Sequence, residues 1–364
     1  MASLDRTLLM LTIILTVTGF FIFSSASLGL LSRDGANFSS IAMGQLLFGV
    51  IGGAVALFIT STMHYRVWRQ YAFYFFLVSI VLTLLVFAPV VGFGHGGAQR
   101  WIKIGSFTLQ PAEILKLGFV IYTATWLSGM KHVVTSSLKG TLPFILLLSG
   151  VGMLLLLQPD TDTFLIIAIS ANTMFITAGG KIRDVILMFL AGVLLITVLA
   201  FTRPYIKDRL QTFIDPSRDP QGSGYQIKQS LIAIGAGGVF GRGFGQSIQK
   251  FEYLPEPMSD SVFAVYSEEF GFIGSFILLS LFAFFSFRGY RIATRAPDLF
   301  GMLLVVGLVT LIIMQALLNI SAMLALMPLS GLPLPFISHG GTALLMTLAS
   351  VGIILNVSKY RKQN

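Results

Sequence analysis

The sequence predicts an all-α, polytopic membrane protein. Three observations carry that. The 364 residues are 55% hydrophobic and 11% charged, against about 25% charged in soluble domains. The apolar residues fall in long runs, of which ten approach the roughly 20 residues that a membrane-crossing helix needs. One long polar interruption, about 202–260, separates the seventh run from the eighth.

The ten runs are approximately 8–30, 40–62, 71–93, 112–130, 140–157, 163–179, 184–201, 261–287, 299–325 and 335–357. A backbone in hydrocarbon satisfies its own hydrogen bonds, so each is expected to be helical. The first, Leu8 to Leu31, is longer than a signal-peptide core and is read as a retained span. The whole chain forms one integral membrane domain, without solenoid repeats or a detached soluble unit.

Basic residues set the expected orientation. With the N-terminus inside, the cytoplasmic segments carry Arg6, Arg66, Arg69, Lys131, Lys139, Lys181, Arg183, Arg288, Arg291, Arg295, Lys359, Arg361 and Lys362. Only Arg33, Arg100 and Lys103 fall in the short outer loops. Both termini are then cytoplasmic and the long loop faces outward. The formal charge of +9 is explained by this asymmetry rather than by a nucleic-acid partner.

No Cys is present and the four His, at 64, 95, 132 and 339, are scattered, which excludes thiolate metal sites and disfavours a His-rich one. There is no Walker loop, HExxH or GxSxG. Gly241-Arg242-Gly243-Phe244-Gly245 follows no strand, so it is not a dinucleotide loop, and no nucleotide site is expected. The loop is apolar enough to be ordered, and Tyr225 to Ala236 is expected to form a short amphipathic helix.

Asp260 closes the long loop at the mouth of the eighth span. It suits an N-cap, favoured there by the helix dipole. It also suits a base taking a proton from a substrate hydroxyl. Glu268 and Glu269 lie about two turns further in, where ionisable groups need either a function or a cation. In the fourth span Glu113 and Lys116 stand one turn apart and can pair. Arg100 and Lys103 flank Trp101, an interfacial aromatic, and can bind an anion such as phosphate. Asp160 and Asp162 fill a tight turn before the sixth span, as helix caps or as part of a polar cleft with Lys116. The proline- and glycine-broken stretch from Pro328 to Gly341 has the form of a cavity-lining entry into the last span.

Gly97–Ile102, Leu109–Lys116, Gln158-Pro159-Asp160, Tyr225–Ser230, Gly241–Ser247 with Lys250, Leu254-Pro255-Glu256 through Asp260, Phe263-Ala264, Glu268-Glu269, Gln315, Asn319 and Leu334–Gly341, in this order, resemble the SEDS family (shape, elongation, division and sporulation), whose members include FtsW, RodA and SpoVE. The chain departs from the family's usual pattern at Thr161-Asp162 (usually Leu-Gly), around Asp260 (usually Thr-Asp-Phe) and at His339 (usually Tyr). The stretches around Asp260 and Leu334–Ser338 sit slightly closer to FtsW than to RodA.

The resemblance implies a peptidoglycan glycosyltransferase of the bacterial cytoplasmic membrane, polymerising lipid II in division or elongation. It implies a class B penicillin-binding protein and divisome or elongasome proteins as partners. Asp260 falls on the family's essential aspartate. Arg100, Lys103, Glu113, Lys116, Asp160, Lys228, Gln229, Ser230, Arg242, Lys250 and Glu269 are the expected substrate-binding residues. Such chemistry needs a base, positive charge for the pyrophosphate, for which the loop cation Arg209 is a further candidate, and optionally a divalent cation such as Mg or Mn. A flippase for a lipid-linked precursor, or a non-catalytic scaffold for the penicillin-binding protein, would suit the same intramembrane charges.

Overall fold

The computed structural model describes residues 4–29, 38–88, 92–95, 98–104, 107–130, 134 and 136–360. Gly97 and, among the cations used for orientation, Arg33, Lys131, Arg361 and Lys362 lie outside them.

Each of the ten apolar runs coincides with a helix. These are α1 (Arg6–Ser27), α2 (residues 38–62, π-helical over Gln45–Ile51), α3 (Tyr65–Leu85), α4 (Pro111–Gly129), α5 (Lys139–Leu157), α6 (Thr161–Thr177) and α7 (Ile182–Thr202). The two longer helices of the long loop follow, α8 (Pro204–Ile214) and α9 (Ser223–Ala236), with single turns at Pro216–Arg218 and Gln249–Glu252. The chain returns through α10 (Val262–Thr294), α11 (Leu299–Met323) and α12 (Gly341–Lys359). Eight helices among the described residues are long and apolar enough to cross a membrane. The other two are α6, at 17 residues, and α4, which carries Glu113 and Lys116 near its start. The amphipathic helix expected over 225–236 is α9.

The sequence sets the helix starts through capping residues and proline. Asp5 caps α1 by accepting from the Leu8 amide, and Asp298 caps α11 through Gly301 N at 2.8 Å. Pro111 opens α4, where its missing N–H costs nothing. The last span begins at Gly341, later than expected, because residues 328–340 fold as an irregular segment above it.

One feature was not legible as such. Between α3 and α4 the chain forms a small antiparallel sheet, β1 (Gly92–His95), β2 (Ala98–Ile104) and β3 (Phe107–Leu109), in the order β1-β2-β3. Its register pairs Phe93 with Trp101 and Ile102 with Leu109. Among the described residues this sheet, which carries Arg100 and Lys103, is the one departure from the all-helical expectation.

The core lies among α4, α11 and α12, whose apolar side chains are almost all buried. Small residues let α2 approach α12 closely: Gly352 packs against Leu57 and Thr60, and the Thr60 hydroxyl donates to Ala349 O. By contrast, Asp184 is the sole buried residue of α7, and the remaining apolar faces are left for lipid.

The long loop is not a linker. Within α10, Gly271 takes φ 65° and ψ −163°, breaking the helix. The glycine-rich stretch fills the break. Arg242 N and Gly243 N donate to Glu268 O and Glu269 O at 3.0 and 2.9 Å, while Phe272 N and Ile273 N donate to Gly238 O and Val239 O at 2.9 and 3.1 Å. Backbone groups orphaned by the break thereby find partners. Gly241, at φ 81°, lies directly on Glu269 O, where a side chain has no room.

Candidate active site

At the end of the bundle shared by the sheet, the long loop and residues 328–340, a polar cleft surrounds Asp260. Asp260 lies one residue before Ser261, the N-cap position of α10, and no side-chain hydrogen bond caps that helix. The capping role considered from sequence is thus not realised. What holds Asp260 is its backbone. Asn319 Nδ2 on α11 donates to Asp260 O and to Leu332 O, both at 2.8 Å. Ser338 Oγ donates to Ser259 O at 2.5 Å and accepts from Leu334 N at 2.7 Å. His339 N donates to Met258 O at 2.8 Å, and Gln226 Nε2 of α9 to Ser261 Oγ at 2.9 Å. Three elements thus fix the position of one half-buried carboxylate.

Its surroundings make it basic. Removal from water pushes the Asp260 carboxyl up from 3.8 to about 7, helped by the nearby carboxylates of Glu256 and Asp162 and opposed by Arg100 and Arg209. Burial also lowers His339, against the pull of Glu256.

The cations come from two directions. Arg100 on β2 donates to Pro159 O and, at 3.4 Å, to Gln158 O; it lies 3.9 Å from Asp160 and 3.5 Å from the Tyr205 hydroxyl. Arg209 on α8 pairs with Asp162 at 2.7 Å and covers the Tyr205 ring at 4.5 Å. Gly331 sits between them. Its amide donates to Asp162 at 3.3 Å, and a methyl there would stand 3.6 Å from Arg100 Nη1 and 3.8 Å from Asp260 Oδ2.

A buried polar path leads from this cleft into the bundle. Lys116 Nζ donates to Glu113 at 2.8 Å and to Gln315 Oε1 at 2.6 Å, and Gln315 Nε2 donates to Pro333 O at 2.8 Å. Gln315 and Asn319 stand one turn apart on α11 and grip neighbouring carbonyls of residues 332–333. A cavity of about 20 Å³ beside Lys116, lined also by Thr347 and Ser350, has room for about one water.

The remaining predicted residues lie elsewhere. Lys250 is fully buried; its Nζ donates to Glu269 at 2.7 Å, to Gly245 O at 2.8 Å and to Ser25 Oγ at 2.9 Å. Glu268 accepts from Ser247 Oγ, Ile248 N and Gln249 N, with Arg242 at 3.5 Å. Lys250 and Glu269 are thus enclosed by each other and by the loop. The cation foreseen for the intramembrane glutamates comes from the loop rather than from another span. The glycine splice gathers Lys250, Glu269 and Arg242, all expected as substrate-binding residues, at the break in α10. Lys103 is exposed on β2. On α9, Lys228 is exposed and Gln229 half-buried, beside a groove of about 410 Å³ lined by Pro216, Pro220 and Tyr225. Ser230 is buried, its hydroxyl 3.4 Å from Met323 Sδ.

Sequence reasoning named Arg209 as a candidate cation for the pyrophosphate; it did not single out Tyr205. Tyr205 and Arg209 are one turn apart on α8, a spacing that places them on one face. Gly331 is marked in sequence only by belonging to the glycine- and proline-broken stretch 328–341.

The sequence profile of a family described as cell cycle protein (FtsW/RodA/SpoVE) matches residues 5–363. Stage V sporulation protein E of Bacillus subtilis (strain 168) is 37% identical over 360 residues, covering 99% of this chain and 98% of that protein. The probable peptidoglycan glycosyltransferase FtsW of Geobacter sp. (strain M18) is 37% identical over 357 residues, covering 97% of this chain and 96% of that protein. Among solved structures, a chain from a peptidoglycan synthase complex that coordinates polymerization and crosslinking matches with TM-score 0.82 at 27% identity, over 100% of this chain and 99% of that one. The rod shape determining protein RodA of Thermus thermophilus matches with TM-score 0.70 at 25% identity, with the same coverage. With a profile match and relatives that run the length of the chain, this protein belongs to the FtsW/RodA/SpoVE family of cell cycle proteins.

Proposed function

We propose that the chain is a peptidoglycan glycosyltransferase that polymerises lipid II, with Asp260 as general base. The observation that carries this reading is a half-buried carboxylate in a cleft with two arginines, a setting in which removal from water pushes the carboxyl up to about 7. A base near the working pH is the most effective proton acceptor. In the proposed step an acceptor sugar hydroxyl gives its proton to Asp260 while its oxygen bonds to the donor's anomeric carbon. The bond from that carbon to the phosphate oxygen breaks, and the pyrophosphate leaves with the electron pair. Arg100 and Arg209 face the developing negative charge, and guanidinium groups suit phosphate oxygens. The apolar, sparsely packed face of α7 and its neighbours accommodates a prenyl tail.

The cleft is proposed to face outward, with both termini cytoplasmic. Arg66, Arg69, Arg288, Arg291, Arg295 and Lys359 gather at the opposite end, as a cytoplasmic end requires. A class B penicillin-binding protein is the proposed partner, supported by the likeness to a chain of a synthase complex. A divalent cation meets no ready donor set. Among the described residues no group of three His, Cys, Asp or Glu converges, and Asp160 and Asp162 already face arginines.

The test is polymerisation of purified lipid II by the wild type and by Asp260→Ala, with the variant shown to be folded in the membrane. Loss of polymer by a factor of about 10²–10⁴ is expected. Undiminished synthesis by the variant refutes the assignment. Transport of the precursor across vesicles without polymer points to a flippase instead.

A further inference from the structure

We propose that Asp162 is a positioning residue: it latches helix α8 of the long loop over the Asp260 cleft and orients Arg209 and Gly331 at its mouth. This rests on the glycosyltransferase reading for its effect on rate, but not for the latch itself.

The geometry is a closed ring of contacts. Asp162, in the first turn of α6, takes Arg209 at 2.7 Å and the Gly331 amide at 3.3 Å through the same oxygen, Oδ2. Arg209 lies over the Tyr205 ring at 4.5 Å, and the Tyr205 hydroxyl meets Arg100 at 3.5 Å. Arg100 returns to the start of α6 through Pro159 O and Asp160. The ring therefore joins α6, α8, β2 and the segment before α12. Of these, α8 has least else to hold it: Thr212 is its one buried residue. The Asp162–Arg209 pair is only partly exposed, at 17% and 21%, so water screens it incompletely.

The same residue belongs to the electrostatic setting of the base. The charged groups bearing on Asp260 are Glu256 of its own loop, Asp162 of α6, Arg100 of β2 and Arg209 of α8, with His339 at the edge of the cleft. Asp162 and Arg209 are opposite charges, so deleting each displaces Asp260 in opposite senses. Removing the Asp162 charge lets the arginines favour the Asp260 carboxylate more strongly. Removing the Arg209 charge leaves the carboxylates to disfavour it.

Two variants, Asp162→Asn and Arg209→Gln, test the proposal on the full-length protein in detergent or nanodiscs. Amide hydrogen exchange over 204–214 is expected to quicken about two- to fivefold in both, the factor that an ion pair of this exposure supplies. Exchange in α11 should not change. In polymerisation assays the acid limb of the pH–rate profile should move down for Asp162→Asn and up for Arg209→Gln. A purely structural contact would move both the same way or neither. Wild-type exchange over 204–214 in either variant overturns the latch, as does quickening spread equally into α11. Faster exchange without polymerisation in the wild type would leave the latch standing and remove the glycosyltransferase reading. Acid limbs displaced in the same direction would overturn the link to Asp260.

Discussion

Replacing Lys116 by methionine separates what its buried ion pair does for folding from what it does for function. Lys116 and Glu113 are both almost fully buried, at 6% and 4% side-chain exposure, and Lys116 also satisfies Gln315. Removing one member of a buried pair typically costs about 3–5 kcal/mol, because the other charge stays behind. Glu113 lies in the first turn of α4, where unpaired helix amides offset part of that cost by about 0.5–1 kcal/mol. The expected loss is therefore near the lower end, about 3 kcal/mol, or roughly 4 °C in the unfolding midpoint of a chain this long. Replacing both partners, as Glu113→Leu with Lys116→Met, leaves no orphaned charge and should restore the midpoint to near wild type. Thermal unfolding in detergent micelles reads both variants, and lipid II polymerisation is measured alongside. If the pair serves only the fold, the double variant polymerises. If it also orients the Gln315–Pro333 path to Asp260, the double variant is stable and inactive. A single variant as stable as wild type, or a double variant as unstable as the single, would refute the energetic reasoning.

Gly271→Ala puts a Cβ at a backbone conformation that essentially only glycine adopts, costing about 1–3 kcal/mol, and drives it into the Gly241 amide. It should lower the unfolding midpoint and expose 238–245 to limited proteolysis, whereas Gly150→Ala, with nothing within 4 Å, should do neither. The pH dependence follows from Asp260, raised from 3.8 to about 7: polymerisation should climb as pH passes about 7, where the base loses its proton. The folded state keeps that proton after the unfolded chain has released it. This residue's contribution to stability is thus fully present below about 3.8 and lost as pH rises through about 7. Asp260→Asn should flatten that slope in denaturation measured from pH 4 to 8.

The spans were legible because bilayer thickness imposes a length and a composition that a single sequence displays directly. Asp260, Glu113, Lys116 and Arg100 were legible because charge is costly beside or within apolar runs. The sheet over 92–109 was not, since its strands are short and interleaved with glycine, and pairing is a property of two segments at once. The burial of Lys250 was not legible either, because only the docking of the loop onto α1 and α10 encloses it against Ser25 and Glu269. Asp162 stood at a departure from the usual family pattern, yet its partner Arg209 lies 47 residues away in sequence and is brought near by the turn of α8 over the cleft.

The break in α10 has a consequence for how the protein is assembled. A span inserted into the bilayer normally leaves no backbone group waiting for a partner. Here the carbonyls of Glu268 and Glu269 and the amides of Phe272 and Ile273 must wait for residues 238–243. Threading of the eighth span is therefore incomplete until the preceding loop has docked, and the two mature together. Exchange of the loop between relatives would succeed only if the junction around Gly271 travelled with it. Asp260, at the end of that loop, reaches its place in the cleft as part of the same closing step.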